Sequence, residues 1–229
     1  MKKQYLGTSM LSIAVGCALL LAGCDGKKGA SVTEESMGAA VDQYLAKNGD
    51  LCLSLNKWPV EVSEHETQME KMLPHGLGRQ MATLKTFGLV TETEGEIDQL
   101  IGKRPTGRKF KVRTFNLTEE GQKFYRPEVV QHAALAGSNP KVKGDLCYGK
   151  KAVEKVVKFD LLPESAPVEE YNVRYLYKID GLAEWAKRPE FQQTFPGAAR
   201  IISEAGKNQM THGVKVTDSG LVPRGLHDI

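Results

Sequence analysis

The order of hydrophobic and polar positions divides the chain into helix-like and strand-like stretches. From residue 33 to Lys47, Val41, Tyr44 and Leu45 recur at helical spacing. Ser31 and Glu34 stand at capping-box spacing before them, and Asn48-Gly49 supplies a stop signal. Leu51, Leu53 and Leu55 then alternate with Cys52 and Ser54, which predicts a strand. Residues 63–88 read as two helices separated by Pro74-His75-Gly76. Ser63 and Glu66 cap the first, Met81, Leu84 and Phe87 face inward from the second, and Gly88 ends it. Leu89-Val90 opens a strand, followed by an acidic stretch read as turn-rich (Glu92, Glu94, Gly95, Glu96). Phe110, Val112 and Thr114 alternate with Lys111 and Arg113, a strand with one apolar and one basic face. Residues 127–143 read as a connection. Residues 152–160 and 171–179 form a hairpin, whose second strand carries the cleanest period of two in the chain: Tyr171, Val173, Tyr175, Tyr177, Ile179. Such a row predicts a sheet face packed on helices. Three short helices follow, over Leu182–Lys187, from Pro189, and over Ala198–Ala205, then a strand through Val214 and Val216.

The pattern predicts an α+β fold of helices packed on antiparallel sheets and hairpins, with an N-terminal half over 33–137, a C-terminal half over 138–220 and a tail over 221–229. Two tetra- to pentapeptide echoes bear on that division. Gly144-Asp145-Leu146-Cys147 repeats Gly49-Asp50-Leu51-Cys52, and Val216-Thr217-Asp218-Ser219-Gly220 echoes Leu117-Thr118-Glu119-Glu120-Gly121. The helices precede the hairpin in the first half and follow it in the second, which argues against a duplication.

The first 23 residues stand apart. Lys2 and Lys3 precede an apolar run from Leu6 to Leu21, which is shorter than the ~20 residues a membrane-spanning helix needs and has the flanks of a signal peptide. The run ends in Leu21-Ala22-Gly23-Cys24, which resembles the lipobox of bacterial lipoproteins. The resemblance implies cleavage between Gly23 and Cys24 and attachment of palmitate-class acyl chains to Cys24. The chain as a whole resembles envelope lipoproteins of Gram-negative bacteria, a likeness that supplies no activity. Asp25 resembles the sorting signal that retains such proteins in the inner membrane, which is favoured over the outer membrane as the site of the anchor, and the body is expected to face the periplasm. Residues 24–32 would be the lipidated cysteine and a flexible tether.

This address changes the composition. Of 229 residues and a net charge of +3, cleavage leaves 206 residues with 29 basic and 28 acidic side chains. A near-neutral body gives no bulk argument for nucleic acid. Cys17 and Cys24 leave the count of free thiols, and Cys52 with Cys147 remain as a candidate disulfide in an exported compartment.

A second resemblance lies over residues 63–125. A helix ending in Leu84-Lys85-Thr86-Phe87-Gly88-Leu89-Val90, a hairpin, and then Leu117-Thr118-Glu119-Glu120-Gly121 is similar to winged-helix domains. By that likeness Arg79, Gln80, Lys85 and a basic wing would meet DNA. An exported, lipid-anchored body does not meet chromosomal DNA, so no nucleic acid partner is expected. The basic wing is Lys103, Arg104, Arg108, Lys109, Lys111 and Arg113, six cations in 11 residues without an acid. Read plainly it is a solvated sheet face; read functionally it contacts anionic headgroups or an acidic partner.

Catalytic and metal-binding patterns are missing. His65, His75, His132, His212 and His227 include no pair at i, i+4, and there is no Cys-x-x-Cys, nucleophile elbow or phosphate loop. No cofactor, metal or catalytic residue is assigned. The sequence therefore points to a membrane-anchored, non-enzymatic binding module of the cell envelope with a protein partner. The alternatives are an envelope hydrolase with a site assembled in space, or a binder of anionic envelope components.

Overall fold

In the computed structural model, residues 31–55, 57–70, 72–102, 104–130, 141–163 and 168–225 are described. The signal segment, Gly23, Cys24, Asp25 and the tether up to residue 30 lie outside them, as does Lys103. Among the described residues no helix is long and apolar enough to cross a membrane.

The fold is α+β, with helices packed on antiparallel sheets. Helix α1 (Glu34–Asn48) starts two residues later than the Ser31–Glu34 spacing suggests. Thr33 is the cap: its hydroxyl accepts from the Ser36 amide, and the Ser36 hydroxyl accepts from the Thr33 amide. β1 (Asp50–Cys52) follows. The alternation expected to carry the strand to Leu55 stops at Cys52, because Ser54 takes a left-handed φ of 64° and the Leu55 amide turns to the Asp145 carboxylate at 3.1 Å. β2 (Val60–Ser63), α2 (Glu64–Met69), α3 (Leu77–Thr86), β3 (Val90–Ile101) and β4 (Arg104–Leu117) come next. Ser63 and Glu66 close the expected capping box. Gly88, at φ 74°, ends α3 with the Leu89 amide on the Leu84 carbonyl and its own amide on that of Lys85, the two bonds of a Schellman turn.

Thr118 caps α4 (Glu119–Phe124), and β5 (Tyr125–Val130) follows directly. The segment expected as connection thus begins as a strand. Pro127 is accommodated there at the sheet edge: among the described residues β5 pairs with β6 alone. β6 (Lys141–Leu161) is the longest strand and the hub of the second sheet: β5, β1 and β7 (Glu170–Asp180) all pair with it, and β8 (Gln209–Thr217) and β9 (Gly220–Pro223) extend the sheet beyond β7. Between β7 and β8 lie a 3-10 turn (Glu184–Lys187), α5 (Pro189–Thr194) and α6 (Pro196–Glu204). Residues 221–223, expected as tail, are part of β9, and Arg224 beyond them holds the buried Glu170 carboxylate at 2.8 Å.

Two cores result. In one, Met37, Ala40, Val41 and Leu45 of α1 cover Val156, Val173, Tyr175, Tyr177 and Val214 of the large sheet, so the period-two row of β7 is the face beneath a helix. A bulge in β6 frees the Val153 amide, and Asp42 of α1 accepts it at 2.7 Å. In the other, α3 and the small sheet meet Leu146 and Tyr148 of β6 through Trp185, Phe191 and Phe195. The first helix and strand, placed by sequence with the N-terminal half, therefore pack with the sheet of the second.

The echoed tetrapeptides lie side by side. Leu51 faces Gly149, and Cys52 faces Cys147, with which it forms a disulfide. The two aspartates differ. Asp50 is exposed and paired with Lys150 at 3.5 Å. Asp145 is buried and accepts the Leu146 amide at 2.8 Å as well as that of Leu55. Burial pushes its carboxyl above the usual range, against the opposing pull of these amides. The longer echo also splits: Thr118 caps a helix, whereas Thr217 donates to the Gly220 carbonyl in the β8–β9 turn. Equal letters at these places serve unequal structures.

Candidate functional site

The small sheet runs β2-β4-β3, and β2 covers only Val112–Phe115 of β4. Beyond that cover β3 and β4 continue as a two-stranded ribbon. At about 3.3 Å per residue, the stretch from Glu96 to Ile101 projects roughly 20 Å. An isolated two-stranded ribbon is marginal in water, and this one is held at its root.

The root is built around Arg113. Its guanidinium donates to Thr67 Oγ1 at 2.9 Å and Glu70 Oε2 at 2.7 Å on the α2 side, and to Glu92 Oε1 at 3.5 Å on β3. Lys85 of α3 donates to the other Glu92 oxygen at 2.7 Å. The Lys85 hydrogen bond, with the charges of Lys85 and Arg113, holds the Glu92 carboxyl below the usual range. Arg113, expected in the exposed cationic set, is thus committed to joining helices and ribbon. Lys85 is committed in the same way.

Along the ribbon, the acidic stretch expected as a turn is strand β3, and its carboxylates face the basic strand. In register, Glu94 stands opposite Arg113, Glu96 opposite Lys111 and Asp98 opposite Lys109. Lys109 reaches Glu96 at 3.7 Å, both side chains being largely in water, where such pairs contribute little. Arg104 and Arg108 lie in the exposed distal part and make no ion pair within 4.0 Å among the described residues. The structure therefore brings Lys109, Lys111 and Arg113 onto one face with acids and leaves Arg104 and Arg108 free of them.

Two of the three exposed apolar side chains on the ribbon, Ile97 and Ile101, were not read from the sequence, whereas Phe110 was expected on the apolar face of its strand. Ile97 and Phe110 are cross-strand partners, 42% and 48% exposed, and Ile101 near the turn is 74% exposed. The signal available was Ile97 and Ile101 outside any helical stripe; what hid it was the shortness of β2. Two grooves flank the ribbon root. One, about 430 Å³, is lined by Glu64, Glu94 and Glu96 against Lys111 and Arg113. The other, about 500 Å³, has Ile97, Phe110 and Val112 on one side and Ser63, His65 and Gln68 on the other. A third depression of about 370 Å³ lies beside the disulfide, with Lys123, Arg126 and Lys150 near Cys147.

The titratable groups shifted from their ordinary values lie elsewhere. His212 is lowered by burial and bonds the Arg224 carbonyl at 2.9 Å, and Tyr148 is pushed up to about 12 by burial. Neither these nor Asp145 and Glu92 line the three depressions. Among the described residues no group of three or more His, Cys, Asp and Glu could hold a metal ion. What the ribbon offers chemically is recognition: apolar area, free guanidinium groups and exposed backbone edges. Compared with models of known families, with curated proteins and with solved structures, the chain matches none.

Proposed function

We propose that the chain is a lipid-anchored protein of the bacterial envelope, held by Cys24 on the periplasmic face of the inner membrane. Its body acts as a non-enzymatic interaction module, and the β3–β4 ribbon is its contact element. The observation that carries this reading is the ribbon itself, which projects into water with Ile97, Ile101 and Phe110 exposed beside unpaired Arg104 and Arg108. Scattered exposed apolar residues are ordinary; three on one narrow, rooted projection with free cations mark an interaction site. The Leu21-Ala22-Gly23-Cys24 stretch supports the anchor, and the Cys52–Cys147 disulfide fits an exported compartment. The strand-helix-helix-strand-strand order of β2 to β4, with sheet order β2-β4-β3, supports a winged-helix-like reading of this unit. Fold alone does not bring DNA with it.

The test is chemical crosslinking in native membranes, comparing the parent with the double variant Ile97→Ser, Phe110→Ser and with Cys24→Ala. Parent-specific adducts should be lost in the ribbon variant and depleted when the anchor is removed. Adducts that persist unchanged in both variants would refute the ribbon as the contact element.

A further inference from the structure

The two faces of the ribbon differ in a way that selects a partner. Register places Glu94, Glu96 and Asp98 opposite Arg113, Lys111 and Lys109, so that face neutralises itself. Side chains alternate across a strand, and the other face carries Gly95 and Ile97 on β3 with Phe110 and Val112 on β4, while Arg108 lies just beyond, where the register shifts between Asp98 and Leu100. The ribbon itself adds no carboxylate to it; the acid nearest this face is Glu64 of α2, which lines the groove beside Ile97, Phe110 and Val112. Toward the turn the contrast grows, because from Gln99 to Leu117 there is no acid at all. The ribbon therefore combines exposed apolar side chains with guanidinium groups that make no ion pair among the described residues.

We infer that the distal β3–β4 ribbon docks on an anionic bilayer surface, with Ile101 and Phe110 entering the headgroup boundary and Arg104 and Arg108 meeting lipid phosphates. Charge complementarity chooses this occupant. Guanidinium groups match phosphate oxygens in a fork, and apolar side chains beside cations are the composition of interfacial segments. Position agrees, on the premise of the lipid anchor proposed above. Residues 25–32 span at most ~28 Å when fully extended, so the start of α1 stays within about that distance of the bilayer and the body remains beside the surface. A second contact beside the acyl anchor would also fix how the body faces the membrane.

The experiment uses the unlipidated polypeptide 25–229, because both cores close between Val32 and Leu221. It is sedimented with vesicles of phosphatidylglycerol and phosphatidylethanolamine, and with vesicles of phosphatidylcholine alone. The parent should sediment with the first, progressively less as salt rises, and stay in solution with the second. Each cation near an anionic surface contributes roughly fivefold in affinity, so Arg104→Glu with Arg108→Glu should weaken binding about twentyfold or more. Ile101→Ser with Phe110→Ser should weaken it too, and exposed Lys207→Glu should leave it within twofold. All five positions are exposed, so the variants should melt with the parent. The inference is overturned by absence of sedimentation, by equal sedimentation with phosphatidylcholine, or by an equal loss in Lys207→Glu. It is also overturned if the ribbon variants abolish a dimer or duplex-DNA binding while vesicle binding is unaffected. Vesicle binding by a protein whose Cys24 proves unmodified would retain the ribbon contact and remove only the anchor.

Discussion

Replacing Cys52 and Cys147 together by serine is expected to lower the melting temperature by about 10–20 °C. The bridge spans a separation of 95 residues. Closing a loop of that size in the unfolded chain is worth about 4–5 kcal/mol in the chain-entropy model, and 1 kcal/mol moves a domain of 150–250 residues by about 2–4 °C. The closed loop holds the entire ribbon-bearing unit, from β2 through α4. The bridge also fastens β1, only three residues long, to the hub strand β6, where Cys52 and Cys147 face one another. Thermal scans of the parent with and without a dithiol reductant should reproduce the shift. A reduced protein that melts with the oxidised one would show that the bridge does not constrain the unfolded chain as argued.

The second large effect is expected at Phe191. It is fully buried, stacked on Phe195 with ring centres 4.8 Å apart, edge-on to Trp185 at 5.2 Å and tilted against Tyr148 of β6 at 5.9 Å. One turn further along α5, Thr194 shares a buried hydroxyl hydrogen bond of 3.1 Å with Thr83 of α3. Phe191 thus sits where the small sheet and its helices meet the large sheet. Phe191→Ala should cost about 3–5 kcal/mol, the range for emptying an aromatic site that cannot collapse. Phe191→Leu, which keeps most of the volume, should cost clearly less. Denaturant unfolding at matched slope measures both; equal losses for the two variants would place Phe191 outside the junction it is assigned to.

Local signals carried most of the elements and few of their partnerships. The row from Val173 to Tyr177, the Ser63–Glu66 box and the Gly88 stop were legible because each depends on residues within one or two turns. The strand expected to reach Leu55 ends at Cys52 because a carboxylate 90 residues away takes the Leu55 amide. Pro127 read as a break, yet it lies on an edge where no ladder partner misses its amide. Thr33 rather than Ser31 caps α1, with Ser36 completing the reciprocal box. Nothing nearby in sequence says that α1 covers side chains from strands that lie after residue 140.

At the site, the basic alternation of Lys109, Lys111 and Arg113 was legible, and so was its answer. Glu92, Glu94, Glu96 and Asp98 recur with the same period of two, and Gly95 made that stretch look like a turn. The division of labour among the cations was not legible. Arg113 is anchored because α2 brings Thr67 and Glu70 to it, whereas Arg104 and Arg108 stay free because β2 ends at Ser63. The length of one short strand decides which part of the ribbon is scaffold and which part is available.

The central claim is that this body works from a lipid anchor at Cys24. It is tested most directly by the mass of the N-terminal peptide of the protein extracted from its native membranes. The account predicts a peptide that begins at Cys24 and is heavier than its sequence by covalently bound acyl chains. A peptide that begins at Met1, or one in which Cys24 carries an unmodified thiol, would contradict it.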